Sequence, residues 1–452
     1  MEFLWNLVSF IVALGILVTI HEFGHFWVAR KLGVKVLTFS VGFGKPLLQK
    51  IGKDGVRYVI AAIPLGGFVK MLDERDSEQP ISEEDRTRAF NRQSVWARMA
   101  IVLAGPVANF LLAIALYWLM FVIGIKGLVP QIGNVPETSI AYQAGLQKDD
   151  VISQVDDEPV IVMHDVTKAI AQRLGEKSEI LLSVRRAGES APKTLSLDIS
   201  TWEVDDSEPK LLKSLGIYHP LESLDAIIGS IGVNGAAEKA GLQVEDKITK
   251  IDGKIIYQWQ DMRDIIASKP NQRVLFEVER NGELIPIFVV IGSANEKDKL
   301  TGVIGIGNSP VDVSKYLITR QAGMIEAFGL AVDEMVKMVV LSTKMFLKLI
   351  SGEISTKSLS GPISIAEGAG STASIGLVYF ISFLAMISVN LGFINLLPVP
   401  MLDGGHLLYF VIEAIKGKPL SEKVQEFGLQ VGMMLVFALM ALAIFNDISR
   451  NL

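Results

Sequence analysis

The run FLWNLVSFIVALGILVTIHEFGHFWVA, Phe3 to Ala29, stays predominantly apolar through Ile20 and then presents His21-Glu22-Phe23-Gly24-His25 without leaving that register. About 20 apolar residues are the length of a helix that crosses a bilayer. Residues four apart on a helix share a face, so His21 and His25 point the same way, with Glu22 beside them. This is the H-E-x-x-H pattern, in which two imidazoles hold a metal and the glutamate takes a proton from activated water. The chain has five histidines (His21, His25, His164, His219 and His406), and two of them fall in this motif. The bland reading is a histidine pair satisfied by neighbouring backbone. Against it stands the motif's place at the end of an apolar run, because ionisable groups in a span are costly and mark function.

Working outward, three more apolar runs read as spans: Met99 to Ile125, Ile375 to Leu397 and Val431 to Phe445. Half of the chain is hydrophobic and its mean hydropathy is +0.39, in keeping with several spans. The first run reads as a retained span rather than a cleaved leader, since it begins with Glu2 and has no Lys or Arg before Arg30. The stretch Met324 to Ile350 is apolar on one face and carries Glu334, Lys337, Lys344 and Lys348, so it reads as an amphipathic helix at the membrane surface. The segment from Arg30 to Arg98 is rich in Lys and Arg, which predicts a cytoplasmic location. Lys416, Lys418 and Lys423 fit the same side, and both termini and the long central insert then face outward. The net charge of −6 is spread widely and excludes a nucleic-acid partner. With no cysteine, any metal must be held by His and carboxylates.

The insert from 126 to 311 repeats itself at an offset of 96 residues. Ile132-Gly133 matches Ile228-Gly229, and Ala144-Gly145-Leu146-Gln147 matches Ala240-Gly241-Leu242-Gln243. Asp150, Ile152 and Asp156 match Asp246, Ile248 and Asp252. The units close alike, in Leu215-Gly216-Ile217 and Ile304-Gly305-Ile306. The A-G-L-x-x-x-D-x-I pattern and the apolar-Gly-apolar turn resemble a PDZ domain, a module that binds an extended peptide at a sheet edge. The plainer reading is a pair of spacers that block access to the membrane site.

Zinc ordinarily takes a third protein ligand and keeps one position open for water. The other polar interruption of an apolar region is Leu396-Leu397-Pro398-Val399-Pro400-Met401-Leu402-Asp403-Gly404-Gly405-His406. Pro398 and Pro400 break the third span, and non-helical backbone at that depth must line protein or a wet cavity. Asp403 and His406 both qualify as the third ligand from chemistry, and Asp403 also reads as a helix N-cap.

The combination of H-E-F-G-H in the first span, L-D-G-G-H late in the chain and a tandem PDZ-like insert resembles the site-2 protease family of intramembrane zinc metalloproteases, in its bacterial, sigma-E-regulating form. Ala104-Gly105-Pro106-Val107-Ala108-Asn109-Phe110 and Ser360-Gly361-Pro362-Ile363-Ser364 belong to the same resemblance, which covers nearly the whole chain. It implies Asp403 as third ligand of Zn2+, leaves His406 as a neighbour, and implies hydrolysis of a peptide bond in single-pass membrane proteins. The implied substrates are anti-sigma factors and remnant signal peptides, cut second in envelope stress signalling at the bacterial inner membrane.

Leu37 to Met71 reads as short strands with glycine turns at Gly42, Gly44, Gly66 and Gly67, and the resemblance implies a membrane re-entrant β-hairpin whose edge pairs with unwound substrate. It also implies that Asn390 and Asn395, near Pro398 and Pro400, help to hold substrate; interhelical hydrogen bonding is the alternative. The expected fold is a polytopic α-helical membrane protein of four transmembrane helices, with a membrane-associated β-hairpin and two inserted PDZ-like α+β domains. The expected divisions are 1–125, 126–221, 222–311, 312–373 and 374–452. The expected partners are single-pass substrates, membrane lipid and peptide C-termini at the PDZ-like units. Two competing readings are a non-catalytic PDZ scaffold with a structural metal site and a metal transporter.

Overall fold

A computed structural model describes residues 2–76, 82–189, 191–204, 210–222, 224–296, 299–309 and 311–451. Long apolar runs need every backbone polar group satisfied within the segment, and here they form helices. In chain order the first elements are α1 (Glu2–Lys31), β1 (Val36–Ile51), β2 (Arg57–Met71) and α2 (Val95–Ile123). Ser94 caps α2, its hydroxyl accepting from the Ala97 amide at 3.2 Å. Among the described residues, four helices are long and apolar enough to cross a membrane: Glu2–Lys31, Val95–Ile123, Leu377–Leu396 and Glu422–Ser449. The protein is an integral membrane protein, and its described residues divide into two compact units, 1–125 with 320–452, and 126–319.

The expected hairpin is more elaborate than two strands. Ile51, Lys50, Gln49 and Leu48 of β1 pair with Arg57, Tyr58, Val59 and Ile60 of β2. Phe39, Ser40 and Val41 pair with Tyr58, Val59 and Ile60 on one side and with Val69, Phe68 and Gly67 on the other. Each long strand therefore doubles back, and the hairpin becomes a sheet of four short segments in the order 46–51, 57–61, 36–41, 67–71. The reversals occur where φ is positive, at Gly42 (93°), Gly44 (87°) and Gly66 (124°), conformations that a side chain makes costly. Segment 67–71 is left as an edge, with no strand on its outer side among the described residues.

The insert's first repeat contains β3 (Val151–Val155), β4 (Glu158–Pro159), α3 (Met163–Ala171), β5 (Glu179–Arg185) and β6 (Lys193–Asp198). The second contains β7 (Ile228–Ile231), β8 (Lys247–Ile251), β9 (Lys254–Ile255), α4 (Trp259–Ala267), β10 (Arg273–Arg280), β11 (Glu283–Val290) and β12 (Ile306–Asn308). The four-stranded sheets have matching orders, β4-β3-β5-β6 and β9-β8-β10-β11. Each covers its own core: Ile132, Ile152, Val166, Ile180 and Leu197 in one, Ile228, Ile248, Met262, Phe276 and Val289 in the other.

The repeated aspartates have structural jobs. Asp150 is fully buried and accepts from Arg186 Nε and Nη2 at 2.8 Å and from the Gln147 amide at 3.0 Å. Asp246 does the same with Arg280 at 2.7 Å and the Gln243 amide at 2.8 Å. The pairing holds each arginine's pKa above its usual value. Asp156 and Asp252 sit at φ 49° and 48°, accepting from the Leu181 and Leu275 amides. Asp165 and Asp261 cap α3 and α4 in the same way, each accepting from two backbone amides.

The chain continues as α5 (Met324–Ser351), α6 (Pro362–Ile375), α7 (Leu377–Leu396), α8 (Asp403–Lys416) and α9 (Glu422–Asn451). The amphipathic stretch is the single helix α5, which buries Ala327, Ala331 and Met338 against Tyr117 and Phe121 of α2 and Ile381 and Ala385 of α7. Small residues at its contact face let the helices approach closely. The third expected span is α7, which Gly376 at φ 149° separates from α6. Asp447 of α9 caps α6, accepting from the Gly361, Ile363 and Ser364 amides at 2.9, 2.9 and 3.1 Å.

Removing the buried carboxylate in Asp150→Ala strands a guanidinium and an amide, and should destabilise the first repeat by roughly 2 kcal/mol. In hydrogen exchange on the full chain, amides of 151–198 should exchange about 30-fold faster. Those of 247–290 should be unchanged, and Asp246→Ala should give the reverse pattern.

Candidate active site

The two histidines one turn apart on α1 meet the start of α8 from the far end of the chain. His21 Nε2 and His25 Nε2 lie 3.3 Å apart, and Asp403 Oδ2 lies 3.2 Å from the first and 3.4 Å from the second. These three make the one cluster of at least three candidate ligands among the described residues. His406, the other candidate from sequence, is not part of it; its ring stands edge-on to Tyr409 with centroids 6.4 Å apart.

The donor set fits a cation. Asp403 Oδ2 is buried and has no hydrogen-bond partner of good geometry among the described residues, although two ring nitrogens stand close to it. A divalent ion among these three atoms would take a lone pair from each, with both imidazoles carrying their protons on Nδ1. His25 Nδ1 faces the Ile101 carbonyl at 2.8 Å, which fixes its proton there and turns the Nε2 lone pair inward.

Close helix packing sets this geometry. A Cβ on Gly105 of α2 would strike His25 Nε2 and lie 2.8 Å from His21 Cε1. A Cβ on Gly24 would strike the Ala104 carbonyl, so α1 and α2 touch backbone to backbone beside the imidazoles. Pro106 follows Gly105 within α2 and has no N–H to offer the turn before it. Asp403 arrives through the 397–402 loop, where Met401 takes φ 100°, a strained conformation for a residue with a side chain. The helix that follows is tied back to α2 by Arg98, whose Nη2 meets Glu413 Oε1 at 2.6 Å with both side chains largely buried.

A cavity of about 920 Å³ opens on the cluster. Glu22, 9% exposed, lines it with His21, His25, Asp403 and His406. One wall is the sheet edge from Gly66 to Met71, and another carries Asn395 and Met440. A Cβ on Gly67 would lie 2.8 Å from Glu22 Cγ, so the edge strand runs directly over the glutamate. Of the other residues singled out from sequence, Asn390 turns away and accepts from Ser342 of α5 at 2.7 Å. Gly42 and Gly44 form the distal bend of the sheet, Pro398 stands in the loop before α8, and the Pro400 carbonyl lies where a Cβ on Gly432 of α9 would sit.

Sequence reasoning did not single out Gly24, Gly105, Asn109, Met401, Arg98 or Glu413 individually. The A-G-P-V-A-N run in the second span was the available signal for three of them: it places Gly105 and Asn109 one helical turn apart on the face that meets the motif, and its Ala104 carbonyl is what Gly24 approaches.

Two imidazoles four apart on an apolar helix, a carboxylate from a distant helix and a glutamate in one buried cavity define a membrane-embedded metallopeptidase. The chain belongs to peptidase family M50, whose model matches residues 9–439. It is 43% identical over 451 residues to the Regulator of sigma-E protease RseP of Escherichia coli K12, covering 100% of both chains. It is 42% identical to the protein of that name in Salmonella typhimurium 14028s and 39% identical to the Regulator of sigma E protease of Haemophilus influenzae, again over 100% of each chain. Among solved structures, the PDZ domain of an SdrC-like protein of Listeria monocytogenes is 25% identical, spanning 18% of this chain and 84% of that one, with a TM-score of 0.17.

Gly105→Ala should push both rings off their positions and lower bound metal in the purified protein at least about ten-fold by elemental analysis. Gly15→Ala on α1, where a Cβ meets nothing within 4 Å, should leave metal content unchanged.

Proposed function

We propose that the protein is an intramembrane zinc endopeptidase that cuts single-pass membrane proteins, with His21, His25 and Asp403 holding the metal and Glu22 acting as general base. The observation that carries this reading is the convergence of three lone-pair atoms on one point in the cavity that Glu22 lines. The N,N,O donor set without thiolate suits a catalytic zinc with an open position. Bound there, zinc supplies Lewis acidity to the scissile carbonyl and brings the pKa of water toward about 7. Glu22 takes the proton of the attacking water and passes it to the leaving nitrogen.

Substrate backbone needs partners once a helix is unwound in a dry medium. The unpaired edge of segment 67–71, which lines the cavity, offers a row of amides and carbonyls for strand addition. We assign Gly66, Gly67 and Asn395 to that substrate path, with Gly42 and Gly44 shaping the sheet and Pro398 and Pro400 shaping the loop. Asn390, bonded to Ser342, serves helix packing in this reading. Exposed Leu47, Leu48, Ile51, Ile60 and Ile63 on the sheet suit burial in lipid.

The insert's two repeats, 126–221 and 222–311, are read as PDZ modules that screen substrates by size and take peptide C-termini. The basic segment 30–98 faces the cytoplasm, and the insert and both termini face the periplasm of a bacterial inner membrane. The substrates are membrane proteins already trimmed outside the bilayer, of the anti-sigma-factor and remnant-signal-peptide kind. A scaffold with a structural metal site would have no use for a base beside its ligands.

Glu22→Gln should keep zinc and lower cleavage of a membrane-spanning model substrate by about 10³-fold. Asp403→Ala should lose zinc as well; full zinc content in that variant would move the third-ligand role to His406. Deleting residues 130–310 should allow cleavage of an untrimmed substrate that the full chain spares, and continued resistance would place the filter elsewhere.

A further inference from the structure

A neutral imidazole that gives Nε2 to a metal carries its proton on Nδ1, and in apolar surroundings that proton needs an acceptor. His25 has one in the Ile101 carbonyl. At His21 the group facing Nδ1 is the Asn109 side chain, with Nδ2 at 3.0 Å. Asn109 is fully buried, and its Oδ1 has no hydrogen-bond partner among the described residues. The residue is held in place by its backbone, whose carbonyl accepts from Ser388 Oγ of α7 at 2.8 Å. Donation from Nδ2 to Nδ1 requires the tautomer with its proton on Nε2, which is the wrong form for a ligand. A half-turn of the carboxamide about its last bond, which preserves its shape, brings Oδ1 to the same spot and favours the ligating form.

We propose that Asn109 is a positioning residue for His21: with metal present its Oδ1 accepts the Nδ1 proton, and with metal absent its Nδ2 donates to Nδ1. A carboxamide serves both forms, whereas the carbonyl facing His25 serves only one. The pair of imidazoles is therefore asymmetric, with His25 fixed in the ligating tautomer at all times and His21 converted to it on loading. This rests on the assignment of His21, His25 and Asp403 as metal ligands.

The test uses the purified full chain in detergent, with ¹⁵N-labelled histidine, titrated with zinc against a competing chelator. Asn109→Leu keeps the shape and removes both polar ends; Asn109→Asp keeps an acceptor and removes the donor. Asn109→Leu should bind zinc 10- to 100-fold more weakly, and Asn109→Asp should bind at least as tightly as the wild type. In the nitrogen spectra, His21 should carry its proton on Nδ1 in zinc-loaded wild type and on Nε2 in the zinc-free form. In Asn109→Asp it should stay on Nδ1 in both, a signature that loss of packing alone does not produce. Should Asn109→Leu fail to fold, the spectra of the other two proteins decide. Equal weakening in both variants, Asn109→Leu affinity within two-fold of wild type, or a tautomer that ignores zinc would overturn the role of Asn109 alone. Wild type that takes up no zinc at these residues would overturn the ligand assignment with it.

Discussion

The whole membrane unit is arranged around an electrostatic problem: two imidazole nitrogens and a carboxylate oxygen are brought within 3.4 Å of one another inside apolar helices. Without a cation the carboxylate needs a proton from an imidazole Nε2, and with a cation all three atoms can turn a lone pair to it. The surrounding chain spends several unusual features on keeping them there. Gly24 and Gly105 remove side chains where α1 and α2 cross, Met401 accepts a strained backbone angle, and Arg98 with Glu413 ties α8 to α2. Strain and close approach of this kind persist only where the rest of the fold over-determines them.

The sheet of segments 36–71 shows a second use of the same economy. An isolated two-stranded hairpin is marginally stable, and here each long strand doubles back at glycines to give the two inner segments partners on both sides. Segment 67–71 is still left as an unpaired edge, of the kind that soluble proteins usually cover or charge. Here that edge runs over Glu22 and forms a wall of the cavity. An edge that would be a liability elsewhere is thus placed where backbone hydrogen bonding is of most use.

Much of this was legible in the sequence. The H-E-x-x-H pair follows from helical periodicity, and the membrane helices follow from apolar length, so both emerge from local rules. Chemistry alone favoured Asp403 over His406 only slightly, because the choice depends on which side chain the 397–402 loop aims at α1, a tertiary fact. The doubled strands were hidden for a similar reason: glycine turns mark reversals without saying which segments then pair. The third span was legible to within two residues of its start at Leu377, whereas hydropathy does not register the backbone angle at Gly376. Asp150 and Asp246 stood out only as repeated residues, and their buried arginine partners, Arg186 and Arg280, became recognisable once the sheets were in place.

The backbone-to-backbone seam between Gly24 and Ala104 leaves no soft side chain to absorb a change in helix spacing. Close-packed interiors transmit displacement instead of damping it. Any change in the spacing of α1 and α2 would therefore reach the imidazole pair with little slack.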